Sequence, residues 1–212
     1  MLGSNARPAV ARFWAPVVAR LARAGVTPDM VTITGTVGAV ASAVLLIGNG
    51  ELWWGAVAVT FFVLLDMLDG ALARARGSGS VFGAVLDSVG DRAADAAIFG
   101  ALVWWFSGHG DNRLIVLLAL LCLVLGVLTS YIKARAEGVG LSADVGIVER
   151  TERLILVLVG TGFAGLGIPY ALHVMLWVLL AGSAITVGQR FVAVRREAGG
   201  RPIPVPPSPP AP

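Results

Sequence analysis

The sequence predicts an all-α polytopic membrane protein with six transmembrane helices and an N-terminal amphipathic helix in the membrane interface. Of its 212 residues, 57% are hydrophobic and only 14% are charged. The mean hydropathy of +0.83 is too high for an ordinary soluble domain. Cys122 is the only cysteine, so an internal disulfide is excluded. The net charge of +3 is typical of contact with anionic lipid in such a protein, and we expect no nucleic-acid partner.

Residues 1–27 are predicted to form an amphipathic juxtamembrane segment. Apolar residues recur there at helical spacing (Val10, Phe13, Trp14, Val17, Val18, Leu21), and arginines occupy the other faces (Arg7, Arg12, Arg20, Arg23). Gly25 can end this helix, Thr27 can cap the next one, and Pro28 suits its first turn.

The six spans are predicted within residues 28–198. The first four cover Met30–Gly48, Leu52–Ala75, Val81–Phe106 and Leu114–Ile132. Leu154–Gln189 then holds 36 residues without a formal charge, interrupted by glycines and a proline at 165–169, and this predicts two spans joined by a tight turn. The tail at 199–212 is rich in proline and is predicted to be disordered.

The distribution of basic residues predicts the orientation of the chain. With six spans both termini lie on one side, and 14 of the 16 Lys and Arg fall on that side or at its border. Basic loops are retained in the cytoplasm. Both termini and the polar loop at 133–153 are therefore predicted to be cytoplasmic.

Four aspartates lie inside the second and third predicted spans, namely Asp66, Asp69, Asp87 and Asp91. A charged side chain at the bilayer centre costs at least about 2.5–3.5 kcal/mol, so such residues indicate function. Their spacings of 3 and 4 put each pair on one helix face, and a hairpin of the two spans brings both pairs to the same depth. Two other interpretations stay open: a polar crevice of aspartate–arginine pairs, and a pathway for cation or proton-coupled transport.

Carboxylates brought together in this way would repel one another unless cations hold them. Oxygen ligands without His or Cys favour Mg²⁺, Mn²⁺ or Ca²⁺. Gly70 and Gly83 allow close approach of a ligand, and Arg74 can bind phosphate. Together these residues predict a site for a diphosphate.

The residues from Asp66 to Asp91 resemble the signature of the CDP-alcohol phosphotransferases. The shared pattern is Asp66-x2-Asp69-Gly70-x2-Ala73-Arg74-x8-Gly83-x3-Asp87-x3-Asp91. The resemblance implies transfer of a phosphatidyl group from CDP-diacylglycerol, or a related CDP-linked donor, to an alcohol, with release of CMP. It also implies that the four aspartates hold two Mg²⁺ or Mn²⁺ ions and that Asp91 is the general base.

The resemblance extends to the donor site, the assembly and the location. The start of the first span looks like the family's nucleotide contact, because free amides at a helix N-terminus suit polar groups of a nucleotide. The candidate donor-binding residues are Asp29, Met30, Val31, Thr32, Gly70, Arg74 and Ser80. The family tends to form homodimers, so a homodimer in the bacterial cell membrane, with its active site on the cytoplasmic side, is expected.

The acceptor is predicted from cations near the cytoplasmic loop. Arginine and lysine clusters suit a phosphorylated acceptor, although positive loop charge alone explains some of them. The candidates are Ser130, Lys133, Arg135, Arg150, Arg153 and Arg190. The stretches around them are similar to those of actinobacterial family members that make phosphatidylinositol phosphate, which implies myo-inositol 1-phosphate as acceptor. Glycerol 3-phosphate, giving phosphatidylglycerophosphate, is the nearest competitor.

Overall fold

A computed structural model describes residue 20 and residues 23–76 and 80–200, without the side chains at 67, 69–71 and 74–76. The described residues form six α-helices and one short 3₁₀ helix, with no β-strand among them. The helices are α1 (Pro28–Leu45), α2 (Leu52–Arg76), α3 (Val81–Ser107), α4 (Arg113–Glu137), α5 (Arg150–Gly165) and α6 (Ala171–Ala198). The 3₁₀ helix, Ile47–Asn49, follows α1. Most of the predicted N-terminal amphipathic segment and of the proline-rich tail lies outside the described residues.

The helices lie where the hydrophobic pattern predicts spans, and local capping explains their ends. Thr27 is the N-cap of α1 and its hydroxyl accepts a hydrogen bond from the Met30 amide (3.3 Å), with Pro28 in the first turn. Gly25 has φ +80°, a backbone conformation that favours glycine. The uncharged stretch at 154–189 is broken between α5 and α6, as predicted.

Each helix packs closely on two others, so the six form a closed ring. In order around the ring they are α1, α2, α5, α6, α4 and α3. Buried apolar side chains fill its interior, among them Ile98, Phe99, Leu102 and Leu176. The order means that α1 lies between α2 and α3, the two helices that carry the aspartates.

Glycines let α1 approach both of these helices. A Cβ on Gly35 would stand 2.9 Å from the Cβ of Asp66, and a Cβ on Gly90 would stand 2.5 Å from the Thr36 hydroxyl. Real Cβ atoms do not approach other atoms that closely, so a larger residue at Gly35 requires a shift of the neighbouring helix, and one at Gly90 requires the Thr36 side chain to turn. The sequence-based prediction paired α2 and α3 as a hairpin and gave α1 no part in bringing the aspartates together.

The apolar surface of the helices indicates a membrane protein. Within the described ranges, Pro28–Asn49, Arg113–Glu137 and Ala171–Ala198 are long and apolar enough to cross a membrane. α2 and α3 contain the acidic residues, and α5 has only 16 residues. Large hydrophobic side chains also cover the outside of the ring, including Phe61 (61% exposed) and Trp104 (74% exposed). Such a surface is typical of contact with lipid.

Candidate active site

The carboxylates of Asp66, Asp87 and Asp91 converge in space. One oxygen from each lies within 4.8 Å of the others. Asp66 projects from α2, and the other two project from α3 one helical turn apart. Asp66 is 9% exposed, so its carboxylate is held in the packed part of the helix bundle. The Asp69 side chain is outside the described part of the structure, although its backbone lies in α2 one turn beyond Asp66.

The converging carboxylates fit a divalent metal ion. Three carboxylates this close repel one another strongly unless positive charge lies between them. Carboxylate oxygens are the ligands that Mg²⁺ and Mn²⁺ prefer, and no His or Cys belongs to the cluster. The donor set therefore agrees with the metal site that the sequence predicts.

The first turns of α1 and α3 lie against each other beside this cluster. Ser80 caps α3, and its hydroxyl accepts a hydrogen bond from the Gly83 amide (2.8 Å). A Cβ on Gly83 would stand 3.1 Å from an oxygen of Asp29, so the two helix starts are in contact. Of the other predicted donor contacts, Met30 is 56% exposed, whereas Val31 and Thr32 are buried. Gly70 and Arg74 belong to α2, and the Arg74 side chain is outside the described part.

A cavity of about 530 Å³ lies on the other side of Asp91, between α3, α4, α5 and α6. Its polar lining residues are Ser88, Asp91, Arg92, Thr129, Ser130, Tyr131, Lys133, Glu137, Glu149, Arg150, Arg153 and Arg190. Five of the six predicted acceptor-binding residues therefore line one cavity. Arg135 is exposed and does not line it.

Asp91 belongs to both the carboxylate cluster and the cationic cavity. Its Oδ1 lies 2.7 Å from Nη1 of Arg150, and its Oδ2 lies 3.8 Å from Nη2 of Arg92. The side chain of Asp91 is 17% exposed, which leaves it accessible from the cavity. A single carboxylate thus joins the proposed metal site to the proposed acceptor site.

Two buried arginines form much of the cavity wall. Arg190 donates from Nε to the Val145 carbonyl (2.9 Å) and from Nη1 to the Thr129 carbonyl (2.6 Å). Arg153 is 2% exposed and donates from Nη2 to Oδ2 of Asp95 (2.8 Å). Contacts of this kind hold a guanidinium in one orientation, which favours recognition of a phosphate.

Lys133 stands at the outer edge of the cavity. Its Nζ lies 2.7 Å from Oδ1 of Asp144 in the loop after α4, and 4.0 Å from Oε1 of Glu137. The hydrogen bond from Lys133 lowers the pKa of the Asp144 carboxyl. The same loop is fixed to the end of α6, because the Ser142 amide donates to Oε2 of Glu197 (2.9 Å).

A second cavity of about 530 Å³ lies between α2 and α5 and is mainly apolar. Trp53, Leu64, Leu158 and Phe163 line its body, and Arg150 contributes to its wall. Arg150 therefore belongs to both the cationic and the apolar cavity.

Known proteins match this chain over most of its length. A model of the CDP-alcohol phosphatidyltransferase family matches residues 25–188. The phosphatidylinositol phosphate synthase of Mycolicibacterium smegmatis is 50% identical over 196 residues, covering 91% of this chain and 88% of that protein. This chain belongs to the CDP-alcohol phosphatidyltransferase family. The predicted family is confirmed, and the chain is an enzyme of that family.

Solved structures agree with this CDP-alcohol phosphatidyltransferase in fold. The phosphatidylinositol phosphate synthase of Mycobacterium tuberculosis with CDP-DAG bound matches at a TM-score of 0.86 and 47% identity, covering 92% of this chain and 100% of that chain. The same protein in complex with manganese and citrate matches at a TM-score of 0.84 and 48% identity, covering 90% and 92%. Together with the carboxylate cluster, these similarities make divalent metal binding a property of this enzyme.

Several residues of the site in this CDP-alcohol phosphatidyltransferase are not apparent from the sequence. Arg92 was assigned no function, although a charge next to Asp91 inside a span is a signal that could have indicated one. Gly35 and the Thr129 carbonyl were missed because their roles depend on which helices are neighbours. Asp95 lies one turn beyond Asp91, and its arginine partners are apparent only in three dimensions.

Proposed function

We propose that this enzyme transfers the phosphatidyl group of CDP-diacylglycerol to myo-inositol 1-phosphate and releases CMP. The observation that carries the proposal is the position of Asp91, which lies between a carboxylate cluster and a cavity lined with arginines. The first feature suits a nucleotide diphosphate with divalent metal, and the second suits a phosphorylated alcohol.

We assign the donor side to Asp66, Asp69, Asp87 and Asp91. Two Mg²⁺ or Mn²⁺ ions held there would neutralise the negative charge that develops on the diphosphate. Asp29 and Ser80, with the first turn of α1, form the end of the site that receives the cytidine nucleotide. The apolar cavity between α2 and α5 has the lining expected around an acyl chain of the donor.

On the acceptor side, Lys133, Arg150, Arg153 and Arg190 bind the phosphate of the alcohol. This contact orients the inositol hydroxyl toward the phosphorus of the phosphatidyl group. Asp91 takes the proton of that hydroxyl as its oxygen attacks, and the bond from phosphorus to CMP breaks. Ser130 lines the same cavity, and Arg92 donates a hydrogen bond to its hydroxyl, so the two residues support one wall.

For the setting of the reaction we propose six transmembrane helices in a bacterial cell membrane. Both termini, the loop at 133–153 and the active site lie on the cytoplasmic side, where the basic residues cluster. A homodimer is the proposed assembly. The ring of six helices supports the span count, since α2, α3 and α5 complete the same bundle as the three helices that are long and apolar enough to cross a membrane.

The direct experiment is a comparison of acceptors. The purified enzyme in detergent micelles receives CDP-diacylglycerol and Mg²⁺, with inositol 1-phosphate, glycerol 3-phosphate or free inositol in parallel. We expect phosphatidylinositol phosphate and an equal amount of CMP from inositol 1-phosphate, and little product from the other two. A lipid formed only from glycerol 3-phosphate would contradict the assigned acceptor and leave the family chemistry intact. If none of the three acceptors gave CMP, the proposal as a whole would be contradicted.

A further inference from the structure

Asp95 is a buried carboxylate that the proposed reaction does not use. It lies on α3 one turn beyond Asp91, its side chain is 6% exposed, and it is not part of the converging carboxylate cluster. Three arginines approach it: Arg153 at 2.8 Å, Arg92 at 3.6 Å and Arg150 at 3.8 Å. This buried carboxylate is therefore surrounded by three guanidinium groups.

Asp95 contacts arginines on a helix that is not a close neighbour of its own helix. Arg150 and Arg153 lie on α5, and α5 packs closely on α2 and α6 but not on α3. The contacts of Asp95 therefore cross the interior of the ring, at the wall of the cationic cavity. Arg153 also packs closely on α4 at Gly126, where an added Cβ would stand 3.0 Å from its Nη1.

The charges explain why an anion is needed at this point. Three guanidinium groups directed at one small volume repel one another, and without a counter-charge they would move apart. Asp95 faces all three arginines, and Asp91 also pairs with Arg150 and Arg92, so two carboxylates stand against three guanidinium groups and positive charge remains in excess. The excess positive charge is what a phosphate dianion requires, and the guanidinium groups keep further N–H donors for it.

We propose that Asp95 is a positioning residue that holds Arg92, Arg150 and Arg153 as a preformed phosphate-binding wall. It touches these arginines and none of the reacting atoms. The inference rests on the proposed function for the identity of the phosphorylated acceptor. It predicts that a phosphate group binds poorly when the carboxylate is removed, while the nucleotide side of the site is unaffected.

The test compares the wild-type protein with Asp95→Asn, using inorganic phosphate as the probe. Thermal unfolding is followed in detergent over a range of phosphate concentrations, since a ligand that binds the folded state raises the melting temperature. We expect Asp95→Asn to need about tenfold more phosphate for the same rise, because contacts to charged groups are lost. In turnover, KM for inositol 1-phosphate should rise about tenfold while KM for CDP-diacylglycerol is unchanged.

Two further variants complete the test. Glu51→Gln removes an exposed carboxylate far from Asp95 in the chain and should behave as wild type. Asp95→Glu keeps the carboxylate on a longer side chain, so it should retain part of the phosphate binding. If Asp95→Asn does not fold, the comparison is made between Asp95→Glu and the wild type. An equal response to phosphate in the wild type and in the folded Asp95 variants would overturn the inference, and so would a wild-type protein that phosphate does not stabilise. A wild-type enzyme that makes no phosphatidylinositol phosphate would contradict the proposed function instead, and the phosphate response would still be measurable.

Discussion

At the scale of single residues, Asp91 contacts both halves of the site. It shares one cluster with Asp66 and Asp87, and it also pairs with Arg150 at 2.7 Å. A general base must be ionised and must lie within reach of the proton that it accepts. The position of Asp91 between the two halves of the site supplies this reach.

The first prediction concerns Asp91→Asn. The amide has nearly the same shape but cannot accept the proton, so we expect kcat to fall by at least about 100-fold, the lower end of the range for general-base catalysis. The melting temperature in detergent should stay close to that of the wild type, because the amide fits the same space. Phosphatidylinositol phosphate formation measures the activity, and Asp111→Asn, near the opposite end of α3, is the matched control. A variant with full activity would exclude Asp91 as the base.

Only some of the residues of the site can be predicted from the sequence. Asp66, Asp87 and Asp91 were predictable because intramembrane acids at fixed spacing carry a strong physical signal. The wall made by Asp95, Arg92 and the carbonyls around Arg190 was not, since it depends on contacts 38 to 61 residues apart in the chain. Arg135 was predicted from the charge of its stretch and from the resemblance of that stretch to family members, and its exposed side chain does not line the cavity.

At the scale of helices, α1 is the element that brings the aspartates into one cluster. It packs on both α2 and α3, and Gly35 permits its contact with Asp66. The prediction of a helical hairpin correctly expected convergence of the two helices' acids. The position of α1 between α2 and α3 could not be predicted, because hydrophobic periodicity gives the length of a helix and not its neighbours.

The second prediction concerns Gly35→Ala. The added methyl would stand 2.9 Å from the Asp66 Cβ and must displace α2, so we expect a loss of about 1–3 kcal/mol in stability and a matching loss of activity. A Cβ on Gly100 meets no atom within 4 Å, so Gly100→Ala is the control and should be neutral or slightly stabilising. Melting temperatures in detergent, with and without Mg²⁺, provide the measurement. Equal behaviour of the two variants would contradict the close approach of α1 and α2.

At the scale of the whole molecule, the ring of helices separates a polar end from an apolar body. The cationic cavity and the carboxylate cluster lie near the ends of α4 and α2 and near the start of α3, and the polar loop at 138–149 covers the same end. Composition and periodicity predicted the six helices and their approximate ends. The closed order of the ring was beyond sequence analysis, since all six helices have apolar faces that could pack in other orders.

The third prediction concerns orientation in the membrane. Ser142→Cys and Ser107→Cys are introduced separately after replacing the buried Cys122 by alanine. With intact cells, a thiol reagent that does not cross membranes should label only Ser107→Cys, and it should label Ser142→Cys only after the cells are opened. Labelling of Ser142→Cys in intact cells would contradict the cytoplasmic position of the loop.

The central claim is that the two substrates occupy opposite sides of Asp91, and the kinetics of Arg190→Lys test it most directly. Lysine cannot replace the two backbone contacts of Arg190 and at the same time bind phosphate. We expect KM for inositol 1-phosphate to rise at least about tenfold, with KM for CDP-diacylglycerol within about twofold of the wild type. An equal rise in both KM values, or a rise for CDP-diacylglycerol alone, would contradict a site divided into a donor side and an acceptor side.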